Sequence, residues 1–540
     1  MSFREVGRPA MNFVRWLLVV IAAGALTLAV TLRPAPASHG PAAVGGPLAW
    51  LLASSTDLGP SRAGQTRLTA ALPDATRPDA LTDWASGRGL SVRWRPGDGW
   101  AIVEGAAHDV AAAFGVPVHD YRGRRGQVFY ASALQPAVPA PLRGVVTEFG
   151  RVLGYTPHHR ARPVLEPLDV PRRGLLPTQL LTTYNASPLA QAGFTGSGQT
   201  IVVFEFDGFD QADLDTHAEL TGLPKFTPVV IGGLPRESDG EAVMDLEVAH
   251  AIAPDARLVV VNAVPTVEGS GAYEKIGRLF EWVDRQFPGA VWSLSIGWGC
   301  DKLMTAADLA PVRAAAAAAQ SHGTSVFVAT GDTGGLECKG GDDWAAAPGR
   351  DDVGLDAVAS LPEMTAVGGT TLSTDPQGVW LAEQAWVDSP LSQGTSGGVS
   401  ALFPRPRWQD GVSSSRDAAH RLTPDIAAVA DSFTGVRIVY DRQLHVGGGT
   451  SQSSPIWAGL TVLMNQYLVA HGGRPLGDLN PLLYRVAAGA RLPGFRDVSL
   501  GGNAVDLAVP GYDLVTGLGS PNVDNLVRDL LDIQNRAAPR

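Results

Sequence analysis

The stretch GGGTSQSSP at residues 447–455 sets Thr450 and Ser451 between three glycines and a proline. An apolar run broken only by Thr461 follows at residues 456–463. Glycines ahead of a hydroxyl pair and a helix-like run behind it put Ser451 at a helix start, where the dipole favours negative charge. A serine becomes a nucleophile only beside a base. The chain has 11 histidines, yet those nearest the informative motifs, His250 and His445, each stand alone. Lone histidines satisfy themselves in cores and surfaces alike, and neither marks a base.

Carboxylates are the alternative. In DGEAVMDLEVAHAIAPDA, residues 239–256, Glu241 and Asp245 stand one helical turn apart, so their side chains are neighbours on a helix. Val248, Ala249 and Ile252 continue that face, while Glu247 and His250 should point elsewhere. Two carboxyls leading into a buried stripe titrate as a coupled pair with one pKa raised. The same spacing also suits an exposed helix start, where acids favour the positive end of the dipole. A third acid stands in VATGDTGG: an apolar strand ends at Gly331 and delivers Asp332 to its C-terminal edge. Held protonated, an aspartate there can donate a hydrogen bond to an oxyanion; ionised, it would repel one. Asp-x-Gly also makes ordinary turns.

The elements that must position these groups follow from the rest of the chain. At 540 residues, two domains are expected, and 45% hydrophobic with 18% charged residues is a globular composition. A net charge of −11 without a basic stripe excludes a nucleic-acid partner. Arg4, Arg8 and Arg15 precede an apolar run at residues 16–32 and a small-residue Ala-Pro-Ala site. Residues 1–39 therefore read as a signal peptide or as a membrane anchor through residues 16–32, and either places the remainder outside the cell or on the membrane's outer face. Residues 48–155 show paired alternating strands around a Pro-Gly-Asp-Gly turn and a short helix ended by Gly115. Residues 165–180, rich in proline and carrying Arg172-Arg173, have linker composition. Beyond them, apolar strands at residues 200–206, 256–264, 290–297 and 324–331 alternate with helical stretches. That pattern predicts an α/β fold with a doubly wound parallel sheet.

In order along the chain, the Glu241-x-x-x-Asp245 helix, the Gly331-Asp332 strand end, SGGVS (396–400), FPRPRWQ (403–409), TPDIAAVAD (423–431) and GGTSQSSP resemble blocks of the sedolisins, the serine-carboxyl peptidases. Each block alone is weak, and their order is specific. The resemblance spans roughly residue 178 to the C-terminus, and residues 48–155 are similar to the family's propeptide. It implies a subtilisin-like doubly wound parallel sheet behind a small α/β propeptide of ferredoxin-like, antiparallel type. The expected organisation is leader 1–39, propeptide 40–165, linker with the processing region 166–177 and peptidase domain 178–540. It further implies a monomeric, self-processing zymogen that acts on polypeptides in acid as an endopeptidase or tripeptidyl-peptidase. The propeptide would be its intramolecular inhibitor, removed in the linker near Arg172-Arg173 or a little beyond.

Carried over residue by residue, the resemblance makes Ser451 the nucleophile, Glu241 the general base, Asp245 its orienting partner and Asp332 the oxyanion residue. Glu205 in VVFEF and Trp298 in SIGWG match residues that extend the hydrogen-bond network behind the carboxylate pair. Ser396, Gly397 and Gly398 match a segment that binds substrate backbone as an added strand. Residues 495–521 resemble a calcium site holding one Ca2+ through the Asp497 and Asp513 side chains and the carbonyls of Val498, Val509 and Gly511. Here the loop is shorter than in some members, and Val509 stands in place of a customary glycine, a swap that requires negative φ. Cys300 and Cys338 flank the strand carrying Asp332 and would form a disulfide outside the cell. Two other readings compete. A histidine-dependent subtilisin relative would need a His-Gly-Thr-His block, which the chain lacks. An inactive surface-binding protein on the same fold would have no reason to keep all four catalytic positions.

Overall fold

Val- and Ile-rich segments that are buried on both faces satisfy their backbone groups by pairing with one another. The computed structural model describes residues 40–160, 166–167, 174–339, 348–388, 392–412, 419–489 and 491–537. The leader expected at 1–39 and the Arg172-Arg173 pair lie outside them. Eight strands form the main sheet: β1 (Thr200–Glu205), β2 (Val229–Ile231), β3 (Arg257–Asn262), β4 (Val291–Leu294), β5 (Ser325–Ala329), β6 (Thr365–Thr374), β7 (Trp380–Ala385) and β8 (Ile426–Val429). Their order is β2-β3-β1-β4-β5-β6-β7, with β8 also on β6. All pairings are parallel except β6 with β7. The fold is therefore α/β and doubly wound.

Alternation along β1 shows how the two faces fill. Ile201 and Val203 join one apolar cluster, while Val202 and Phe204 join the other. Helices α1 (Gln211–Thr221), α2 (Glu241–Ile252), α3 (Ala272–Gln286), α4 (Ala310–Ser321) and α5 (Thr450–Ala470) cover the sheet. Apolar residues of α2 and α5 belong to the first cluster and those of α3 and α4 to the second. Because β1 lies between β3 and β4, the winding reverses there, and the C-terminal strand ends beside that point form a crevice. Glu205 closes β1, Ser295 follows β4 and Asp332 follows β5, all at this edge.

Helix α2 is more enclosed than its sequence pattern suggests. Every residue of α2 is buried, including Glu247 and His250, which lie off the Glu241–Asp245 face. Strands β1 and β3, helix α5 and a hairpin at Arg437–Tyr440 and Gln443–Val446 leave this helix no solvent face. Gly459 explains how closely α5 approaches it: a Cβ there would meet Ile252 Cβ and Cγ2 at 3.0 Å.

The N-terminal region forms its own antiparallel sheet in the order Ser91–Arg93, Trp100–Gly105, Thr66–Ala71, Glu148–Phe149, with helices Asp79–Ser86 and Ala107–Phe114 completing a βαββαβ path. A charged seam joins it to the main domain. Arg93 grips Glu274 with bonds of 2.6 and 2.8 Å. Arg95 meets Glu281 at 2.6 Å, and Arg278 meets Asp98 at 3.1 Å. Glu148 accepts the Ala307 amide at 3.1 Å, and Asp308 accepts the Arg151 amide at 3.1 Å. Beyond this seam the backbone at His159–Arg160 pairs antiparallel with Ile296–Gly297, and Glu166–Pro167 pairs antiparallel with residues 445–446. One partner directly follows Ser295, and the other leads into the glycines before Ser451.

Candidate active site

Residues 447–449 bring the chain from a hairpin strand into α5, where Thr450 and Ser451 are the first helical residues. Gly449 makes that entry possible, with φ at 85°, and a Cβ there would stand 2.7 Å from Asp332 Oδ2. Pro455 lies one turn into α5 and has no N–H, so the Ser451 carbonyl loses its helical donor. Ser295 Oγ stands 3.1 Å from that carbonyl, beside the place the missing donor would take. In return Ser451 Oγ donates to Ser295 O at 3.4 Å. Ser295 Oγ also lies 2.6 Å from Asp245 Oδ2, so one serine ties the helix start to the carboxylate pair. No hydrogen bond joins Ser451 to a histidine among the described residues. His250 instead stacks on Phe226 at 3.9 Å, and His445 packs edge-on to Tyr440.

The acids are sealed. Glu205 and Asp245 are 0% exposed and Glu241 is 2% exposed. Burial raises the pKa of Glu241 well above the usual carboxylate range; the charge of Asp245 adds to this, and the neighbouring Ser451 hydroxyl offsets part of it. Neither Glu241 oxygen has a regular hydrogen bond, so Ser451 is a close neighbour whose proton is not yet aligned. Glu205 rises well above its ordinary value through burial and then the charges of Asp245 and Glu241. Asp245 rises to about 7 through burial, held down by the Ser295 hydroxyl and by contact with Glu205. Like charges this close oppose each other's ionisation, so the pair is held toward its protonated forms.

Asp332 is tied to Thr450, the neighbour of Ser451, from the other side. Its Oδ1 accepts the Thr450 amide at 2.7 Å and the Thr450 hydroxyl at 2.9 Å. The side chain keeps partial access to solvent, and burial raises its pKa against the pull of those two donors. Ser396 braces the loop: its hydroxyl accepts the Thr333 and Gly335 amides at 3.2 and 3.1 Å, and its own amide donates to Gly331 O at 2.9 Å. A Cβ on Gly397 would collide with the Leu514 carbonyl, and Gly398 pairs with Thr423. The close approach these glycines permit is therefore used within the chain itself. A disulfide joins Cys300, just past Trp298, to Cys338 on the Asp332 loop. Trp298 is fully buried and packs edge-on to Phe206, but its indole N–H reaches Thr266 at 3.3 Å and not the carboxylate pair.

Sequence reasoning missed Ser295 and Thr450 as site residues. Ser295 has no local signal, because its partners come from other elements and Ser451 stands 156 positions away. Thr450 was visible in the motif, but its double grip on Asp332 appears only where two loops meet.

At the far end of the domain, Asp497 accepts the Gly511 amide at 3.0 Å, and Asp513 accepts the amides of Val509, Val515 and Thr516. The Thr516 hydroxyl lies 3.4 Å from Val498 O and 3.2 Å from Asp513, which draws that carbonyl to the same loop. Among the described residues neither acid has an ion-pair partner, and Val509 does not take positive φ. Two unpaired carboxylates and neighbouring carbonyls in a tight loop fit a hard, oxygen-seeking cation.

Comparison with known proteins places this geometry. The chain is 30% identical over 496 residues to kumamolisin of Bacillus sp. (strain MN-32), covering 85% of this chain and 84% of that protein. It is 29% identical over 457 residues to sedolisin of Pseudomonas sp. (strain 101), covering 78% and 73% respectively. Tripeptidyl-peptidase 1 of Bos taurus is 27% identical over 460 residues, covering 77% and 76%. Among solved structures, Pseudomonas sedolisin (serine-carboxyl proteinase), complexed with two molecules of pseudo-iodotyrostatin, matches with a TM-score of 0.56 at 26% identity, over 66% of this chain and 97% of that one. No protein-family model matches the chain.

The sealed acids make stability depend on pH in a definite sense. Burial holds Asp245 and Asp356 at about 7 and Asp301 at about 6. In an unfolded chain such groups titrate near pH ~4. Between about pH 4 and pH 7 the unfolded chain therefore releases protons that the folded one retains, and stability falls as pH rises across that window. Thermal unfolding should show a higher midpoint at pH 4 than at pH 7. A midpoint at pH 4 equal to or below that at pH 7 would contradict the sealed arrangement.

Proposed function

Because the chain belongs to the sedolisin family of serine-carboxyl peptidases, we propose that it is an exported, acid-acting peptidase that cleaves polypeptides and is made as a zymogen. The observation that carries this reading is a helix-start serine enclosed by buried acids, with no histidine bonded to it among the described residues. In the proposed reaction Ser451 Oγ attacks the scissile carbonyl and passes its proton to Glu241. Glu241 then returns that proton to the leaving amine, and water repeats the sequence on the acyl-enzyme. Asp245, hydrogen-bonded to Ser295 and in contact with protonated Glu205, holds Glu241's partner charge in place. Asp332, with Oδ1 engaged by Thr450, keeps a proton for the oxyanion. Its raised pKa keeps it protonated in acid, and rising pH removes that proton and the hydrogen bond with it. Ser396, Gly397 and Gly398 serve substrate binding in this reading by holding the Asp332 loop at the cleft.

Two further parts of the proposal concern the rest of the chain. Asp497 and Asp513, with the carbonyls of Val498, Val509 and Gly511, would hold one Ca2+, whose charge would tie residues 497–513 into a rigid loop. The N-terminal region would be the propeptide, covering the crevice until acid loosens the seam. Burial raises Glu148, Asp98 and Asp308 at that seam, so they gain protons early as pH falls and their bonds to the partner side weaken. The pairings at residues 159–160 and 166–167 flank the nucleophile, which favours self-cleavage between them over cleavage at Arg172-Arg173.

Three measurements test these parts. A pH–rate profile on a denatured protein substrate should peak in acid and vanish above neutrality, with Ser451→Ala and Glu241→Gln each lowering kcat at least ~10⁴-fold; a neutral optimum, or activity surviving either change, would reject the mechanism. Acid incubation of the full chain should produce a new N-terminus between residues 160 and 166 by mass spectrometry, while Ser451→Ala stays intact. A main cut at Arg172-Arg173 would count against the cleft-crossing path. Chelation should lower the unfolding midpoint, and added Ca2+ but not Mg2+ should restore it; an unchanged midpoint would remove calcium from the proposal.

A further inference from the structure

Resting on the reading of Glu241 as the base, we propose that Asp207 is the positioning residue for that base, pinning the first residue of α2 and setting a negative charge behind its carboxyl. Helix α2 starts after Gly240, whose φ is 97°, and no side chain of its own segment caps it. Helix starts leave amides unsatisfied, and here the missing cap arrives from another element. Asp207 lies just past the end of β1 and is 5% exposed. Its Oδ1 accepts the amides of Gly208 and Asp239, each at 2.9 Å, and its Oδ2 accepts the Glu241 amide at 2.9 Å. The residue that would take the serine proton is thus held by its own backbone N–H.

Glu205, two positions earlier, touches Asp245 one turn further along the same helix. A single strand end therefore locates both acids of the pair, one through its backbone and one through its side chain. The groups around Glu241 are Asp245 on its own helix, Ser451 and Asp332 from the α5 start and the β5 loop, and Glu205 and Asp207 from the end of β1. Those around Asp207 are Asp239, Glu205, Glu241 and Tyr440, whose hydroxyl donates to Ser238 O at 2.7 Å. None of these is a cation, so nothing among them cancels the charge of Asp207. Burial raises the pKa of Asp207, and its three amide donors pull it back toward the ionised form. That charge in turn helps raise Glu241 and Glu205, after the larger effects of burial and Asp245.

The test uses the full-length protein after acid incubation, with Asp207→Asn, Asp207→Ala and Glu241→Gln assayed side by side. Asp207→Asn keeps an acceptor oxygen but loses the charge, so Glu241 releases its proton more readily. The acid-side limb of kcat should move to lower pH with KM little changed. Asp207→Ala removes the cap as well, and misplacing the base should lower kcat roughly 10²-fold. If that variant fails to fold or process, Asp207→Asn still carries the test. An acid limb in Asp207→Asn that superimposes on wild type, or a loss confined to KM, overturns the proposal. An active Glu241→Gln would reject the base assignment itself, whereas an inactive Glu241→Gln beside an unmoved limb in Asp207→Asn rejects only the role of Asp207.

Discussion

Several carboxyls share one sealed crevice with no cation among them. Among the described residues no ion pair reaches Glu205, Glu241, Asp245 or Asp332. Charging all of them together would place like charges a few ångströms apart in a poorly polarisable interior. The group must therefore retain protons, and the structure decides which member holds them. Glu205, fully buried beside Asp245, is pushed well toward the neutral form, while Asp245 has a hydroxyl donor that favours its charge. Asp332 meets the solvent edge and keeps one oxygen on Thr450. The proton distribution follows from burial and donor placement, without any imidazole.

Holding such a cluster requires rigid support, and the support comes from close helix packing over a parallel sheet. Gly459 lets α5 meet α2 at Ile252, which brings the serine-bearing helix start beside the acid-bearing one. Pro455 leaves the Ser451 carbonyl free for Ser295, and Ser295 carries the connection on to Asp245. A helix irregularity that would ordinarily weaken α5 thus lies where Ser451 meets Ser295 and, through it, Asp245. The disulfide and Ser396 steady the opposite wall, where Asp332 stands.

In the proposed mechanism acid would act on this molecule at two separate places in the same direction. In the crevice, low pH preserves the protons that burial already favours. Along the seam with the N-terminal sheet, it would discharge Asp98, Glu148 and Asp308, which bond to an arginine and to backbone amides across the boundary. The seam is more exposed than the crevice: the Arg93 side chain is 44% exposed and that of Arg95 50%. Solvent and salt screen it, and it can open under conditions that leave the core intact.

Much of this could be read along the chain. Continuous Val and Ile runs announced a parallel sheet, because a strand buried on both faces has no polar side to show. Glu241 and Asp245 one turn apart, Asp332 at a strand end and Ser451 behind glycines were all local patterns, each fixed by spacing within a single element. What the chain could not reveal were relations between elements. That Glu247 and His250 are buried too was not legible, because a one-helix pattern cannot register a second helix, two strands and a hairpin closing over it. Ser295 and Asp207 carry no motif, since their meaning lies wholly in amides and carboxyls contributed from distant segments. Residue type and periodicity set which groups are available and which elements carry them. Only the folded packing sets which acids touch, which lose water and therefore which keep their protons, because desolvation and hydrogen bonding depend on neighbours that sequence proximity does not supply.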